Sequence, residues 1–230
     1  MHYFYAKGEF ETQIELSKEE SHHAFRVLRL KENDKVGVFN GEGSIYLCHV
    51  LEISKNHCLL TIESVNKNEN GRPGLTIVIA PTKSNDRFEW FLEKATEIGV
   101  GEIIPLLSDR SERKKIRIDR LEKVIIAAMK QSMNPYLPLL RPLTSFKEII
   151  EGFSDHQRYI SHCYGEERIE LIDKIDKGAD TVILIGPEGD FSPSEIAMAE
   201  EKGWIGVSLG EQRFRTETAG IIAAHIYSLK

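Results

Sequence analysis

The sequence has 230 residues, of which 41% are hydrophobic and 29% are charged, and its formal net charge is −6. This composition fits a globular protein of one or two domains, and no apolar run approaches the roughly 20 residues that cross a membrane. A polycation is excluded, so binding to nucleic acid would need a local basic patch. Because the sequence shows no secretion signal and its cysteines show no paired spacing, we expect a cytoplasmic protein.

The N-terminal part of the chain is predicted to be rich in β-structure. β-branched and aromatic residues dominate segments 36–39, 44–53 and 57–65, and turn-forming residues separate them. A short helix is expected before them, after Ser17, because Ser17 and Glu20 have the spacing of a capping box.

The rest of the chain alternates predicted strands with predicted helices. A polar, glycine-containing stretch at 68–74 precedes it, and we expect a domain boundary there, with domains at 1–70 and 71–230. Such alternation is typical of an α/β domain with a mostly parallel sheet, whose ligands bind beyond the carboxyl ends of the strands. The predicted strands are 75–80, 102–107, 158–162, 181–186 and 205–209. The predicted helices are 86–98, 118–132, 145–151, 193–202 and 217–229.

The segment ILIGPEGDFSPSEI, residues 183–196, joins a predicted buried strand to a strongly specified helix start. Ser192 is a good N-cap, and Pro193 and Glu195 complete the pattern of a first turn. The loop GPEGD at 186–190 is neither a P-loop nor a dinucleotide fingerprint. Its glycines allow close approach to the backbone, and its two acids would repel a pyrophosphate. We therefore expect a neutral or positively charged ligand.

A second charged loop, GEQRFRTE, follows the predicted strand at 205–209. Its residues Arg213, Arg215 and Glu217 cluster where the last helix begins, and the helix dipole adds partial positive charge there. Each loop alone could be a capped connection between a strand and a helix. Two such loops at strand ends of one sheet favour a ligand site.

Segment 110–123 is strongly basic, with seven Lys or Arg residues and three acids. A run of this kind is commonly the solvated face of a helix. Its position on an acidic protein makes contact with an RNA backbone an equal alternative.

Two other features suggest a metal or a nucleophile but have simpler interpretations. His22 and His23 are adjacent, yet no further clustered ligands support them, so we expect no metal and favour surface or RNA contact. Cys163 follows a predicted strand, and we expect a buried cysteine and not a thiol nucleophile.

Five segments, spread over nearly the whole chain, carry a resemblance to a known family. They are HHAFRVLRLKENDKVGVFNGEGSIY (22–46), DRFEWFLEKATEIGVGEIIPL (86–106), AAMKQS (127–132), IGPEGDFS (185–192) and LGEQRFRTETA (209–219). Together they resemble the ribosomal RNA small subunit methyltransferase E family. Its members are SPOUT-class enzymes that use S-adenosyl-L-methionine to methylate N3 of a uridine in 16S rRNA of the small ribosomal subunit. The resemblance implies an N-terminal PUA-like β-barrel that binds RNA, a parallel-sheet methyltransferase domain with a trefoil knot, and a homodimer.

The resemblance also implies a set of site residues. Arg215 would stabilise charge on the uracil oxygens, and Glu217 would orient Arg215 or accept the N3 proton. The implied cofactor-binding residues are Pro81, Thr82, Gly186, Pro187, Glu188, Gly189, Leu209, Gly210, Arg213, Phe214, Thr216, Thr218 and Ala219. The candidates for RNA contact are His22, Arg26, Arg29, Arg110, Arg113, Lys114 and Lys115. Two places depart from the family pattern. Asn134-Pro135-Tyr136 lacks an arginine that is expected there, and Asp190 stands where a glycine is frequent, although Asp tolerates a positive φ better than most residues.

Two other functions are compatible with the residues. The first is a non-catalytic RNA-binding protein that uses the N-terminal barrel and segment 110–123, and such a protein needs no cofactor. The second is a small-molecule α/β enzyme with an unrelated N-terminal cap, which would not bind RNA through that cap.

Overall fold

The chain divides into two compact units, each with its own sheet. The structure, a computed structural model, describes residues 1–165, 169–176 and 178–230. The first unit comprises 1–72 and 129–137, and the second comprises 73–128 and 138–230. Within the described ranges, no helix is long and apolar enough to cross a membrane.

The first unit is built on a five-stranded sheet, in agreement with the predicted β-rich region. Its strands are β1 (His2–Tyr5), β2 (Gln13–Glu15), β3 (Lys35–Phe39), β4 (Ser44–Ser54) and β5 (His57–Lys67). Their order is β1-β3-β4-β5-β2. β1 runs parallel to β3, and the other pairs are antiparallel. Alternate residues at the start of β4 are buried, as the period of two in a strand requires.

A short helix lies between β2 and β3, and its cap differs in part from the prediction. Helix α1 (Lys18–His22) continues into a π-helical turn at His23–Val27. The Oγ of Ser17 accepts a hydrogen bond from the backbone N of Glu20 at 3.2 Å, as predicted. The Glu20 carboxylate does not complete the box, because it accepts from the backbone N of Tyr5 and from Nζ of Lys130.

The second unit contains a parallel sheet, as the alternating pattern predicted. Its strands are β6 (Leu75–Ile79), β7 (Glu102–Leu107), β8 (Leu139–Leu140), β9 (Thr144–Ser145), β10 (Gln157–Ser161), β11 (Thr181–Ile185) and β12 (Ile205–Val207). They follow the order β12-β10-β11-β6-β7-β8, with β9 beside β7, and every pairing is parallel. The α/β class of this unit is therefore confirmed.

Six helices accompany this sheet in the described part of the chain. They are α2 (Asn85–Ile98), α3 (Ile118–Ser132), α4 (Phe146–Glu151), α5 (Leu171–Lys174), α6 (Pro193–Glu201) and α7 (Thr216–Ser228). α3 continues into the first unit at Met129. Every residue of the central strands β6 and β11 is buried, as expected for parallel strands that are covered on both faces.

Candidate active site

A cavity of about 290 Å³ opens at the carboxyl ends of three neighbouring strands. Ser161, at the end of β10, pairs with Ile185 at the end of β11 and with Val207 at the end of β12. The chain leaves all three strands at this row, so the loops that follow lie at one edge of the sheet. This is where a parallel sheet usually holds its ligand.

The cavity brings together most of the predicted cofactor residues and several that the sequence reasoning missed. The predicted residues on its wall are Gly186, Pro187, Glu188, Leu209, Gly210, Arg213, Phe214, Arg215, Thr216 and Ala219. The missed residues are Ser161, His162, Cys163, Ile185, Asp190, Ser208 and Gln212. Most of these missed residues directly follow or precede a strand end, but only the strand order shows that β10 lies between β11 and β12.

The first of the two loops, residues 186–190, is called the GPEG loop here. Backbone and side-chain groups from other segments hold it in place. The Glu188 carboxylate accepts a hydrogen bond from the backbone N of Lys83 at 3.0 Å. The Oγ1 of Thr216, at the start of α7, donates to the carbonyl of Gly186 at 3.0 Å. Thr216 is 4% exposed, so this bond is shielded from water and ties the two predicted loops together.

Arg110 holds the GPEG loop from a further side. Its Nη1 donates to the carbonyl of Gly189 at 2.8 Å and to the hydroxyl of Tyr164 at 2.8 Å. It also reaches the carbonyl of Phe191 at 3.3 Å. Arg110 therefore supports the loop, although the sequence pattern suggested that it contacts RNA.

Asp190 ends the GPEG loop in the left-handed conformation, with a φ of 62°. Its Oδ2 accepts from the backbone N of Cys163 at 2.9 Å, and its Oδ1 accepts from the backbone N of Phe191 at 2.7 Å. Positive φ is unfavourable for most residues with a Cβ. Here the two backbone hydrogen bonds offset part of that cost, and the aspartate takes the conformation that a glycine would take.

The helix start that follows the loop confirms the sequence prediction. The Oγ of Ser192 accepts from the backbone N of Glu195, and the Glu195 carboxylate accepts from the backbone N of Ser192. Pro193 occupies the first turn. Phe191 and Ile196, on either side of the cap, are buried in one hydrophobic cluster, as a hydrophobic staple requires. The cap fixes where the GPEG loop must end.

The second loop, residues 209–215, is called the arginine loop here, and its charged side chains are less restrained. Gly210 has a φ of 134° and is held by the hydroxyl of Ser208. The side chains of Arg213 and Arg215 are exposed and line the cavity. Among the described residues, neither guanidinium has a hydrogen-bond or ion-pair partner. Both groups are therefore available to a ligand.

Five of the predicted catalytic and cofactor-binding residues do not line the cavity wall. Glu217 is 6% exposed and lies beside α2, where its Oε1 is 3.6 Å from Nε of Arg87. Its Oε2 has no hydrogen-bond partner among the described residues. A Cβ on Gly189 would lie 3.5 Å from the Arg110 side chain, so this glycine faces Arg110. The residues outside the wall are Pro81, Thr82, Gly189, Thr218 and Glu217.

The basic segment divides into supporting and exposed cations. Nε of Arg113 donates to the carbonyl of Thr82 at 2.9 Å, and its Nη2 donates to the carbonyl of Lys83. Arg113 thus holds the segment 82–83, whose Lys83 backbone N binds the Glu188 carboxylate. Lys114 and Lys115 are exposed, and neither has an ion-pair partner within the part of the chain that is described.

The predicted RNA-contact residues of the first unit lie on, or just after, the short helical segment between β2 and β3. His22, Arg26 and Arg29 are all exposed. Phe25 is 36% exposed and Val27 is 63% exposed. The guanidinium of Arg26 lies 5.7 Å from the centre of the Phe25 ring. Cations interleaved with an exposed aromatic ring are the composition that single-stranded nucleic acid favours.

The three cysteines fall into two classes, and the prediction for one of them is wrong. Burial raises the pKa of the Cys48 thiol to about 12 and that of the Cys58 thiol to about 11. Cys163 was expected to be buried, but it is exposed, because β10 ends at Ser161 and the chain has left the sheet at the rim of the cavity. In the described ranges, no group of His, Cys, Asp or Glu residues could hold a metal ion.

Both parts of this chain match known protein families. Residues 69–228 match the RNA methyltransferase domain family, and residues 16–63 match the RNA methyltransferase PUA domain family. The ribosomal RNA small subunit methyltransferase E of Rickettsia conorii is 30% identical over 215 residues, which are 92% of this chain and 88% of that protein.

Two solved structures have the same fold. A probable rRNA-methyltransferase from Porphyromonas gingivalis superposes with a TM-score of 0.89 at 37% identity, over 97% of this chain and 95% of that one. The ribosomal RNA small subunit methyltransferase E from Neisseria gonorrhoeae, bound to S-adenosyl methionine, superposes with a TM-score of 0.87 at 25% identity, over 97% of this chain and 95% of that one.

Proposed function

Because the chain belongs to the ribosomal RNA small subunit methyltransferase E family, we propose that it methylates N3 of a uridine in 16S rRNA of the small ribosomal subunit. The chain is an S-adenosyl-L-methionine-dependent RNA methyltransferase. The observation that carries the finer proposal is the cavity at the ends of β10, β11 and β12. Its wall has the fixed GPEG loop and two arginines, Arg213 and Arg215, that have no partner among the described residues.

The chemistry of the wall fits S-adenosyl-L-methionine. When bound, this cofactor supplies an electrophilic methyl group on a sulfonium cation. Glu188 and Asp190, on the part of the wall formed by the GPEG loop, favour a cation beside that loop. A Cβ on Gly186 would lie 3.1 Å from the Phe191 ring, so only glycine fits there without displacing the ring. We assign cofactor contact to the predicted residues on the wall and a supporting role to Pro81, Thr82, Gly189 and Thr218 behind it.

Arg215 is the proposed catalytic group. Uridine N3 keeps its proton at neutral pH, so methylation requires loss of that proton, and negative charge then spreads to the uracil oxygens. A guanidinium near those oxygens would stabilise the charge as it develops. The side chain of Arg215 suits this role, because it is exposed and no described residue pairs with it. Glu217 lies beside Arg87 of α2 and off the wall, so we propose that it holds the start of α7 against α2 and neither orients Arg215 nor transfers the proton.

We propose that the RNA substrate contacts two surfaces of the protein. One is the exposed surface of His22, Arg26 and Arg29 in the proposed RNA-binding domain, residues 1–70. The other lies in the methyltransferase domain, residues 71–230, at Lys114 and Lys115. Arg110 and Arg113 act there by supporting the cavity loops. The resemblance adds a trefoil knot, a homodimer and a cytoplasmic location to the proposal.

The direct test is mass mapping of 16S rRNA nucleosides from cells with and without the gene. We expect one 3-methyluridine to disappear in its absence and to return with the wild-type gene but not with Arg215→Ala. An unchanged nucleoside profile would contradict the proposal. Calorimetry with S-adenosylhomocysteine distinguishes the proposed methyltransferase from the main alternative, because a non-catalytic RNA-binding protein would not bind this compound.

A further inference from the structure

A second cavity, of about 170 Å³, lies between α2 and the chain that leads into α3. Phe88, Ile116 and Leu121 form the apolar part of its wall. Phe88 is 2% exposed and Leu121 is 6% exposed, whereas Ile116 is partly exposed. The cavity therefore offers an apolar floor that a flat ring can cover.

The rest of the wall is strongly cationic. Four cations, Arg113, Lys115, Arg117 and Arg120, line it with a single carboxylate, Glu89. Arg120 pairs with Glu89 through two contacts, at 2.6 and 3.0 Å. Arg117 pairs at 2.7 Å with Asp119, which lies outside the wall. Lys115 is exposed and has no ion-pair or hydrogen-bond partner among the described residues. On a chain with a net charge of −6, this excess of positive charge points to an anionic ligand.

An apolar floor beside a cationic rim is what a nucleotide requires. Bases stack on apolar or aromatic side chains, and Lys or Arg neutralises the neighbouring phosphate. We propose that this cavity binds one unpaired nucleotide of the RNA substrate, with its base against Phe88, Ile116 and Leu121 and its phosphate beside Lys115. This inference rests on the proposed RNA substrate and adds a specific subsite to it.

The second cavity is linked to the first through bonded residues. Arg113 lines the second cavity and donates to the carbonyls of Thr82 and Lys83. The backbone N of Lys83 in turn donates to Glu188, on the wall of the first cavity. The segments that would hold the nucleotide therefore also fix the GPEG loop. We assign the nucleotide to the same RNA strand as the target uridine.

The test separates base binding from simple charge attraction. The ligands are single-stranded oligouridylate and inorganic polyphosphate of equal charge. Ile116→Trp fills the cavity without changing the charge. It should weaken binding of oligouridylate about tenfold, within the range for one base stack, and leave polyphosphate binding within about twofold. Lys115→Ala should also weaken oligouridylate binding more than polyphosphate binding.

Lys114→Ala is the matched control, because Lys114 is an exposed neighbour outside the cavity wall. Removing it takes away the same charge and should weaken both ligands by the same factor. Equal affinity of wild type and Ile116→Trp for oligouridylate would overturn the subsite. If the lysine variants still weakened RNA binding, the proposed RNA substrate would stand without it.

Crosslinking keeps the proposal testable if Ile116→Trp does not fold, which loss of S-adenosylhomocysteine binding would reveal. An oligonucleotide that contains 4-thiouridine should then crosslink to the wild-type peptide 115–121. Crosslinks that lie only outside this peptide and α2 would overturn the subsite.

Discussion

The GPEG loop and the arginine loop border the same cavity but differ in how they are held. Bonds from Arg110 and Thr216 fix backbone carbonyls of the first loop, and the backbone N of Lys83 holds its Glu188 carboxylate. In the second loop, the exposed guanidinium groups of Arg213 and Arg215 have no partner among the described residues. A loop that is already ordered loses little entropy when a ligand binds. The difference therefore suggests that the GPEG loop is the fixed part of the cofactor site, and that Arg215 of the arginine loop acts on the RNA.

The largest expected effect on cofactor affinity comes from filling the GPEG loop at Gly186. Gly186→Val would press on the Phe191 ring, which already lies 3.1 Å from an ideal Cβ. Overpacking of this kind costs about 1–3 kcal/mol, and we expect cofactor affinity to fall by about 100-fold. Calorimetry with S-adenosylhomocysteine measures this affinity. Gly189→Ala is the control, since its Cβ would meet Arg110 at an ordinary 3.5 Å. Equal losses of cofactor affinity in both variants would contradict the claim that the close contact at Gly186 is the cause.

The bond between the two loops should matter next. Thr216→Val keeps the shape of the side chain but leaves the carbonyl of Gly186 without its 3.0 Å partner. An unsatisfied buried carbonyl costs about 1–3 kcal/mol, so cofactor affinity should fall about tenfold. Thr216→Ser restores the hydroxyl and should recover most of the affinity. A serine variant as weak as the valine variant would mean that the hydrogen bond is not the cause.

Thiol labelling reports occupancy of the cavity without altering either loop. At pH 8, Cys163 should react with a disulfide reagent, whereas the pKa values of about 12 and 11 keep Cys48 and Cys58 protonated. Because Cys163 lines the cavity, S-adenosylhomocysteine at roughly ten times its Kd should slow the reaction about tenfold by mass action. Labelling at an unchanged rate would place the cofactor elsewhere.

The smallest effect is expected at Asp190, where conformation and hydrogen bonding oppose each other. Asp190→Ala keeps a Cβ at a φ of 62° and loses both carboxylate bonds, so the free energy of unfolding should fall by about 1–2 kcal/mol. Asp190→Gly loses the same bonds but relieves the backbone, and it should stay within about 1 kcal/mol of wild type. Urea denaturation compares the two, and a glycine variant less stable than the alanine variant would contradict this explanation.

Much of the second unit could be predicted because its elements are marked by local signals. The predicted strand 181–186 is observed as Thr181–Ile185, and the predicted helix 193–202 as Pro193–Glu201. The cap at Ser192 is a contact between residues three positions apart, so a single sequence contains it. The GPEG loop could be located for the same reason.

The rest depends on contacts between distant residues, which no local pattern shows. Arg110 reaches Gly189 across 79 positions, and Arg113 reaches Thr82 across 31. In a sequence, both are indistinguishable from exposed cations such as Lys114. Cys163 joins the cavity only because β10 lies between β11 and β12, which the order of elements along the chain does not reveal.

The division of labour between the two loops is tested most directly at Arg215. Single-turnover methylation of small ribosomal subunits by Arg215→Ala should be slower by about 100-fold or more, a typical loss for one charge-stabilising donor. S-adenosylhomocysteine affinity, measured by calorimetry on the same preparation, should change by less than about threefold, because the interaction forms mainly in the transition state. Arg215→Lys should also be impaired, since a point charge cannot replace the planar guanidinium. Equal losses of rate and cofactor affinity would make Arg215 a cofactor-binding residue and contradict the account.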